Sequence, residues 1–252
     1  MDKGLEISIV MPAYNEADHI IPSIHETAKT FNGFGWDYEI IAVDDGSSDA
    51  TYEHLKEVAR ENKRIIPVHL PKNVGKGNAL RKGFEASRKG ELVIFLDCDL
   101  DLHPKQADTL VQIMKRTGAD IVIGAKRHPR SVVEYPWHRR IISSIYFFVV
   151  QILFGMPLRD TQTGLKLFRR EVLDKVLPKL LVKRWAFDLE LLALAHYYEY
   201  RIAHAPVTIQ SQRDRSRIPM TAMIHMFLDT VAVFYRLRIT HWYQRQDSIA
   251  QK

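Results

Sequence analysis

An α/β fold, an open and mostly parallel sheet with helices on both faces, is what this 252-residue sequence predicts. Two observations lead there. Through the first half, short β-branched runs alternate with helical stretches of roughly 10 to 15 residues, the rhythm of parallel strands joined by crossover helices. Polar clusters at 12–16, 44–45, 73–77 and 97–101 each close one of those runs. Ligands on such a sheet bind beyond the carboxyl ends of its strands, so four clusters at that edge point to one site.

Glu6 to Met11 reads as the first strand, broken by Pro12, Ala13, Tyr14, Asn15 and Glu16. A helix follows to about Thr30, then a turn from Asn32 to Gly35. Tyr38 to Val43 is the second strand and ends in Asp44-Asp45-Gly46-Ser47. A helix from about Ala50 to Asn62 takes its cap from Ser48 or Asp49. Arg64 to Leu70 is the third strand, and Asn73-Val-Gly-Lys76-Gly77 opens a helix that ends near Gly90. The next strand, from Leu92, is apolar throughout and stops at Asp97-Cys98-Asp99-Leu100-Asp101. A helix begins near Pro104, and Ile121 to Ala125 is a further short strand.

That stop is the most informative point in the chain. Three carboxylates on alternate residues, with nothing basic among them, are costly beside a buried strand end. A hard divalent cation bound through oxygen would resolve the cost. A capped strand-to-helix turn is the competing account, just as Asp44-Asp45-Gly46-Ser47 also suits an ordinary turn. Gly75-Lys76-Gly77 fails the dinucleotide fingerprint, because Leu80 stands at its third glycine, and lacks the Lys-Ser/Thr ending of a P-loop.

Composition narrows the class. Hydrophobic residues make up 46% of the chain, enough to bury one full core. The net charge of +6 suits an anionic partner: nucleic acid, a phosphorylated substrate or a membrane surface. Cys98 is the only cysteine, which excludes an internal disulfide and a cysteine-rich zinc site and fits a reducing compartment. The first residues run straight into a strand without signal-peptide character.

Two later stretches are apolar beside basic residues. Residues 141–158 carry no charge and follow Lys126, Arg127, Arg130, Arg139 and Arg140. Ser143, Ser144, Gln151 and the Gly155-Met156-Pro157 break argue against a membrane span, leaving an interfacial helix. Met220, Met223, Ile224, Phe227, Val231 and Phe234 recur at helical spacing before Arg236, Arg238 and Arg245, with Trp242 and Tyr243 suited to a headgroup boundary. A core helix is the alternative for each. Because the basic residues cluster with apolar helices and form no aromatic-interleaved groove, nucleic acid is not the expected partner.

Taken in order, Ile9-Val-Met-Pro-Ala-Tyr-Asn-Glu16, Val43-Asp-Asp-Gly-Ser47, Asn73-Val-Gly-Lys-Gly77 and Asp97-Cys-Asp99 resemble family 2 glycosyltransferases of the GT-A fold. Gly124-Ala-Lys-Arg127, the run Arg159 to Phe168 and the run Arg184 to Leu192 resemble the polyprenyl-phosphate hexosyltransferases among them, over about residues 5 to 240. The resemblance implies a Rossmann-like sheet and an inverting transfer of a hexose, glucose from UDP-glucose, to a polyprenyl or dolichyl phosphate. GDP-mannose or another nucleotide sugar is the alternative donor, and a catalytically inactive peripheral membrane adaptor the alternative class. It implies that Pro12, Ala13, Tyr14, Glu16, Asp44, Asp45, Lys76, Asp97, Cys98 and Asp99 hold the nucleotide. Mg²⁺ or Mn²⁺ would sit on Asp97 and Asp99, with Asp101 as third ligand. Asp97, Asp99, Arg127, Asp160 and Gln162 would serve the transfer, and Arg127, Arg184, Arg215 and Arg217 the acceptor phosphate, with Lys183 a weaker candidate. Asp188 and Glu190, two apart on a helix, cannot both face the site. The expected layout is a nucleotide-sugar half (1–125), an acceptor half with its amphipathic segment (126–217) and an amphipathic C-terminal helix and tail (218–252). The enzyme would be cytoplasmic, peripheral on the cytoplasmic face of a membrane.

Overall fold

The computed structural model describes residues 6–88, 90–134, 137–156, 158–210 and 220–250, with 134, 137–142, 210, 220–222 and 247–250 described as backbone alone. Its main sheet has seven strands: β1 (Glu6–Ala13), β2 (Asp37–Asp44), β3 (Ile65–His69), β4 (Leu92–Leu96), β5 (Ile121–Gly124), β7 (Leu165–Arg169) and β8 (Ile202–Ala205). Between and after them, β6 (Val132–Glu134) and β9 (Thr208–Gln210) form a separate parallel pair. The helices are α1 (Ile20–Phe34), α2 (Thr51–Glu61), α3 (Lys76–Ala86), α4 (Gln106–Thr117), α5 (Trp137–Phe154), α6 (Arg170–Val176), α7 (Phe187–Tyr197), α8 (Met220–Phe234) and α9 (Trp242–Ala250). A π-helical turn, Tyr235–Ile239, joins the last two.

The strand order is β3-β2-β1-β4-β7-β5-β8. Chain order reverses between β1 and β4, so the crevice beyond their carboxyl ends is the topological switch point where ligands of such sheets bind. All neighbours pair in parallel except β7, which runs antiparallel to both β4 and β5. β1 continues through Pro12 to Ala13, two residues past the expected break. Pro12 is tolerated because pairing with β4 has already ended at Val10. Pro67 sits in β3, an edge strand, for the same reason.

Alternation along the strands splits the core. Ile7, Ile9 and Met11 face α1, α2 and α4; Val10 faces α3, α6 and α7 with Val43, Phe95 and Phe168. Helix α3 lies close on the sheet because residue 83 is glycine: a Cβ there would come within 2.3 Å of Val10 Cγ1. α5 stops at Phe154, where Gly155 adopts φ 61°, the left-handed conformation that closes helices. Among the described residues no helix is long and apolar enough to cross a membrane.

Candidate active site

The loops beyond β1 and β2 are stitched together by side chains. Asn15, at φ 54°, receives a hydrogen bond from Ser48 N (2.9 Å) through its Oδ1 and donates its own N–H to Ser47 Oγ (2.9 Å). The Glu16 amide donates to Thr51 Oγ1 and the Ala17 amide to Asp49 Oδ2. Pro12 and Ala13 end β1 as buried residues, whereas Tyr14 is 47% exposed at the crevice.

The two adjacent aspartates divide their tasks. Asp44 is fully buried; its Oδ1 accepts the Ser47 amide and its Oδ2 lies 2.7 Å from His69 Nδ1, whose ring stacks on Tyr52. Asp45 points the other way and accepts the amides of Val74 and Gly75, both at 2.9 Å. Burial raises the Asp45 carboxyl pKa in spite of those two amides. Both side chains therefore shape the loops around the crevice, a task that the turn motif alone does not reveal.

Next to them stands the charged centre. β4 ends at Leu96, and Leu100 at φ 56° turns the chain back, so that the Asp101 amide donates to Asp99 Oδ1 (3.1 Å). Burial, then the charges of Asp97 and Asp101, raise Asp99 to a pKa of about 6. Lys76, the first residue of α3, reaches across with Nζ 2.5 Å from Asp97 Oδ1. Burial disfavours its charge, but Asp97, Asp188 and Asp99 outweigh that and hold its pKa above the usual lysine value. Asp97 is also pressed by Gly164, where a Cβ would lie 2.2 Å from Oδ2. Cys98 is buried, shielding its thiol, and its carbonyl accepts the Ser23 hydroxyl at 2.6 Å.

Residues from the second half enter through the reversed strand. The amino end of β7 lies at the carboxyl edge of the parallel strands, and Gly164 O accepts the Asp97 amide. Asp160 is buried, with Oδ1 on the Gln162 amide and Oδ2 on the Lys126 amide, and Lys126 Nζ at 3.8 Å. Among the described residues Gln162 Nε2 is buried without a hydrogen-bond partner, an unused donor. Lys166, on β7, makes a buried 2.8 Å ion pair with Asp188 of α7. Asp188 thus serves the site side of α7, and Glu190 turns to the C-terminal helices. Lys166 escaped the sequence reading, although a lysine inside Leu165-Lys-Leu-Phe168 is a detectable signal.

Not every expected residue is found at the centre. Arg127 donates to Ser143 and Ser144 of α5 and lies over the Phe147 ring at 4.5 Å. Arg184 is exposed, packs its stem against Gly75 and influences Asp45 and Asp229. Arg215 and Arg217 lie outside the described residues, as do the side chains of Arg139 and Arg140. Among the described residues no three acidic, histidine or cysteine side chains form a metal cage, so Asp101 does not complete one with Asp97 and Asp99.

The apolar helices split their expected roles. Ile145, Phe148 and Ile152 of α5, and Ile224, Phe227, Leu228 and Val231 of α8, are exposed, Ile152 to 83%. The Tyr146 hydroxyl meets Thr230 Oγ1 at 3.0 Å, joining the two helices. Tyr243, expected at a headgroup boundary, is instead buried, and two of the basic residues near it are tied to the protein. Arg236 turns inward to Glu190 at 3.1 Å, whereas Arg238 stays exposed while donating to Phe154 O. Arg236 lies in the π-helical turn, whose changed repeat sets it on the Glu190 side while Tyr235 and Ile239 remain exposed.

Residues 8–177 match the family described as Glycosyl transferase family 2. "Glycosyltransferase AglD" of Haloferax volcanii is 32% identical over 84% of the chain, which spans about a third (34%) of that relative. The dolichyl-phosphate beta-glucosyltransferase of Dictyostelium discoideum is 31% identical over 95% of the chain and 77% of its own length. Among solved structures, glucosyl-3-phosphoglycerate synthase of Mycobacterium tuberculosis, in complex with Mn²⁺, uridine diphosphate and phosphoglyceric acid, has a similar fold. Its TM-score is 0.70 at 22% identity, over 91% of this chain and 77% of that one.

Proposed function

The chain belongs to glycosyl transferase family 2, and from that premise we propose that it transfers glucose from UDP-glucose to the phosphate of a dolichyl or other polyprenyl phosphate. The transfer inverts the anomeric carbon and takes place at a membrane surface. One observation carries this reading: the charged centre at the switch point adjoins the exposed apolar strip of α5 and α8. Helix α7, which carries Asp188 of the Lys166 pair, packs against α8, and α8 is joined to α5 through Tyr146 and Thr230.

The donor set fits Mg²⁺ or Mn²⁺. Asp97 and Asp99 supply carboxylate oxygens, and burial first, then the neighbouring charges of Asp97 and Asp101, raise the pKa of Asp99. A hard ion of this kind needs only one or two carboxylates when a diphosphate and water complete its shell. Bound there, it would stabilise the charge of the departing diphosphate. Lys76 and the amino end of α3 add positive potential for the phosphates. Tyr14, Glu16 and the loop organised by Asp44 and Asp45 border the base and ribose, and Gln162 Nε2 offers its free hydrogen bond to a sugar hydroxyl.

The acceptor asks for little proton chemistry. A phosphate monoester has a second pKa of about 6, so it is mostly dianionic at neutral pH and needs no strong base. It needs positioning and charge compensation, which Arg184 supplies with Arg215 and Arg217. The apolar strip seats the protein where such a lipid phosphate resides, on the cytoplasmic face, since the nucleotide sugar is drawn from the cytosol. The test is a product assay offering UDP-glucose, GDP-mannose and other nucleotide sugars with a polyprenyl phosphate. Glucosyl lipid from UDP-glucose alone supports the reading; mannosyl lipid moves the donor assignment; no lipid product with any donor refutes it.

A further inference from the structure

Glu190 is fully buried in α7, and the transfer described above gives it no task. Burying a carboxylate is costly unless it is paired and hydrogen-bonded, and here the compensation is complete. Oε2 accepts the amides of Leu181 (2.9 Å) and Val182 (2.7 Å). Oε1 accepts Arg236 Nη2 at 3.1 Å and the Tyr243 hydroxyl, whose oxygen in turn accepts Arg236 Nε at 3.1 Å. One side chain thereby ties together the segment at 181–182, helix α7, the π-helical turn and α9.

Each end of that node leads somewhere. Directly after Val182, the chain reaches the crevice: Lys183 O accepts the Asn78 amide at 3.3 Å and stands against Gly75, where a Cβ would come within 2.6 Å. Arg184 packs its Cγ on the same glycine, whose amide is held by Asp45. At the other end, Arg236 follows directly on α8, the helix with the exposed apolar face, next to Tyr235 at 55% exposure. A continuous set of contacts therefore runs from α8 through Arg236 and Glu190 to Arg184 and the nucleotide loop.

We propose that Glu190 is a positioning residue: clamped by Arg236 and Tyr243, it fixes the 181–184 segment on the nucleotide loop, so that the placement of Arg184 depends on the seating of the C-terminal helix. This rests on the reading of Arg184 as a ligand of the acceptor phosphate. A purely structural Glu190 would support the whole fold equally and affect neither substrate selectively.

The test uses the full chain with Arg236→Met, Tyr243→Phe and the conservative Arg236→Lys. Hydrogen exchange is followed by mass spectrometry in segments 180–187 and 92–96. Steady-state kinetics use UDP-glucose and a short, water-soluble prenyl phosphate, which removes any contribution from membrane docking. Expected for Arg236→Met are faster exchange in 180–187 with 92–96 unchanged, and KM for the prenyl phosphate raised about tenfold with KM for UDP-glucose within about twofold. Tyr243→Phe should move the same quantities less, and Arg236→Lys should restore them towards wild type. Exchange that rises equally in both segments, or a prenyl phosphate KM that does not move, overturns the proposal. Should wild type transfer to no prenyl phosphate, the assigned reaction fails and exchange alone decides: a change confined to 180–187 upholds the clamp, and a uniform or absent change overturns it.

Discussion

Asp45→Asn alters a single atom beyond β2, and the structure says what that atom does before any nucleotide binds. Both Asp45 oxygens accept backbone amides, from Val74 and Gly75 at 2.9 Å, in a residue only 3% exposed. Asparagine keeps one acceptor and turns an NH₂ group towards the other amide, leaving a buried donor facing a donor. Such a loss costs about 1–3 kcal/mol. Burial already raises the Asp45 pKa, so a neutral side chain recovers part of the desolvation cost and the net loss falls to about 1–2 kcal/mol. At about 2–4 °C per kcal/mol for a chain of this size, the ligand-free protein should melt about 2–8 °C lower. Calorimetric titration should show weaker binding of UDP as well, because the loop that closes over Lys76 is loosened. The assay is thermal unfolding without ligand, followed by that titration. An unchanged melting temperature with reduced UDP affinity would refute the loop-holding role and return Asp45 to the nucleotide alone.

Asp99→Asn should leave unfolding unchanged and lower transfer by orders of magnitude, since it removes a charged ligand from a hard cation; full activity after EDTA treatment would contradict the metal assignment. Asp160 provides the pH dependence. Burial alone would raise its pKa, but Lys126 and the Gln162 amide bring it below 3.8. A carboxyl depressed in the folded state stabilises above its unfolded pKa and loses that contribution as pH falls through the folded value. The melting-temperature gap between wild type and Asp160→Asn should therefore be open at neutral pH and close below about pH 4; a gap independent of pH would contradict the sign. For the surface, Phe148→Ser with Ile152→Ser, or Phe227→Ser with Leu228→Ser, should reduce co-sedimentation with anionic vesicles at least about tenfold, since a large apolar side chain contributes about 1.5–3 kcal/mol when buried. Wild type that stays in the supernatant at low salt would remove the docking role from both helices.

The first half of the fold was legible because its signals are local. Apolar runs ending in polar clusters located β1, β2, β3, β4 and β5 to within two residues at most ends, and the Asp97–Asp101 stop marked the carboxyl edge. β7 was not legible. Its residues, Leu165-Lys-Leu-Phe-Arg169, are read as a family motif, and pairing direction depends on partners about 70 residues upstream. Side-chain tasks within the motifs were equally hidden. That Asp45 would hold Val74 and Gly75, or that Lys76 would meet Asp97, follows from how α3 packs, on the sheet through Gly83 and on Phe187 of α7 through Gly77. Composition did place apolar helices beside basic residues. It could not tell that a π-helical turn would send Arg236 inward to Glu190, because helical periodicity assumes an unbroken 3.6-residue repeat.

The reversed strand also dictates when this protein can become itself. During synthesis β1 to β4 emerge able to pair with one another, but β5 is born without a neighbour. Among the described residues its partners are β7 and β8, and β7 also supplies the second neighbour of β4. Until residue 169 has left the ribosome, β4 carries one unpaired apolar edge and β5 two, the kind of surface that chaperones cover. A cut after residue 125 would leave β4 and β5 without the strand that lies between them. The sheet is completed from the middle, and late.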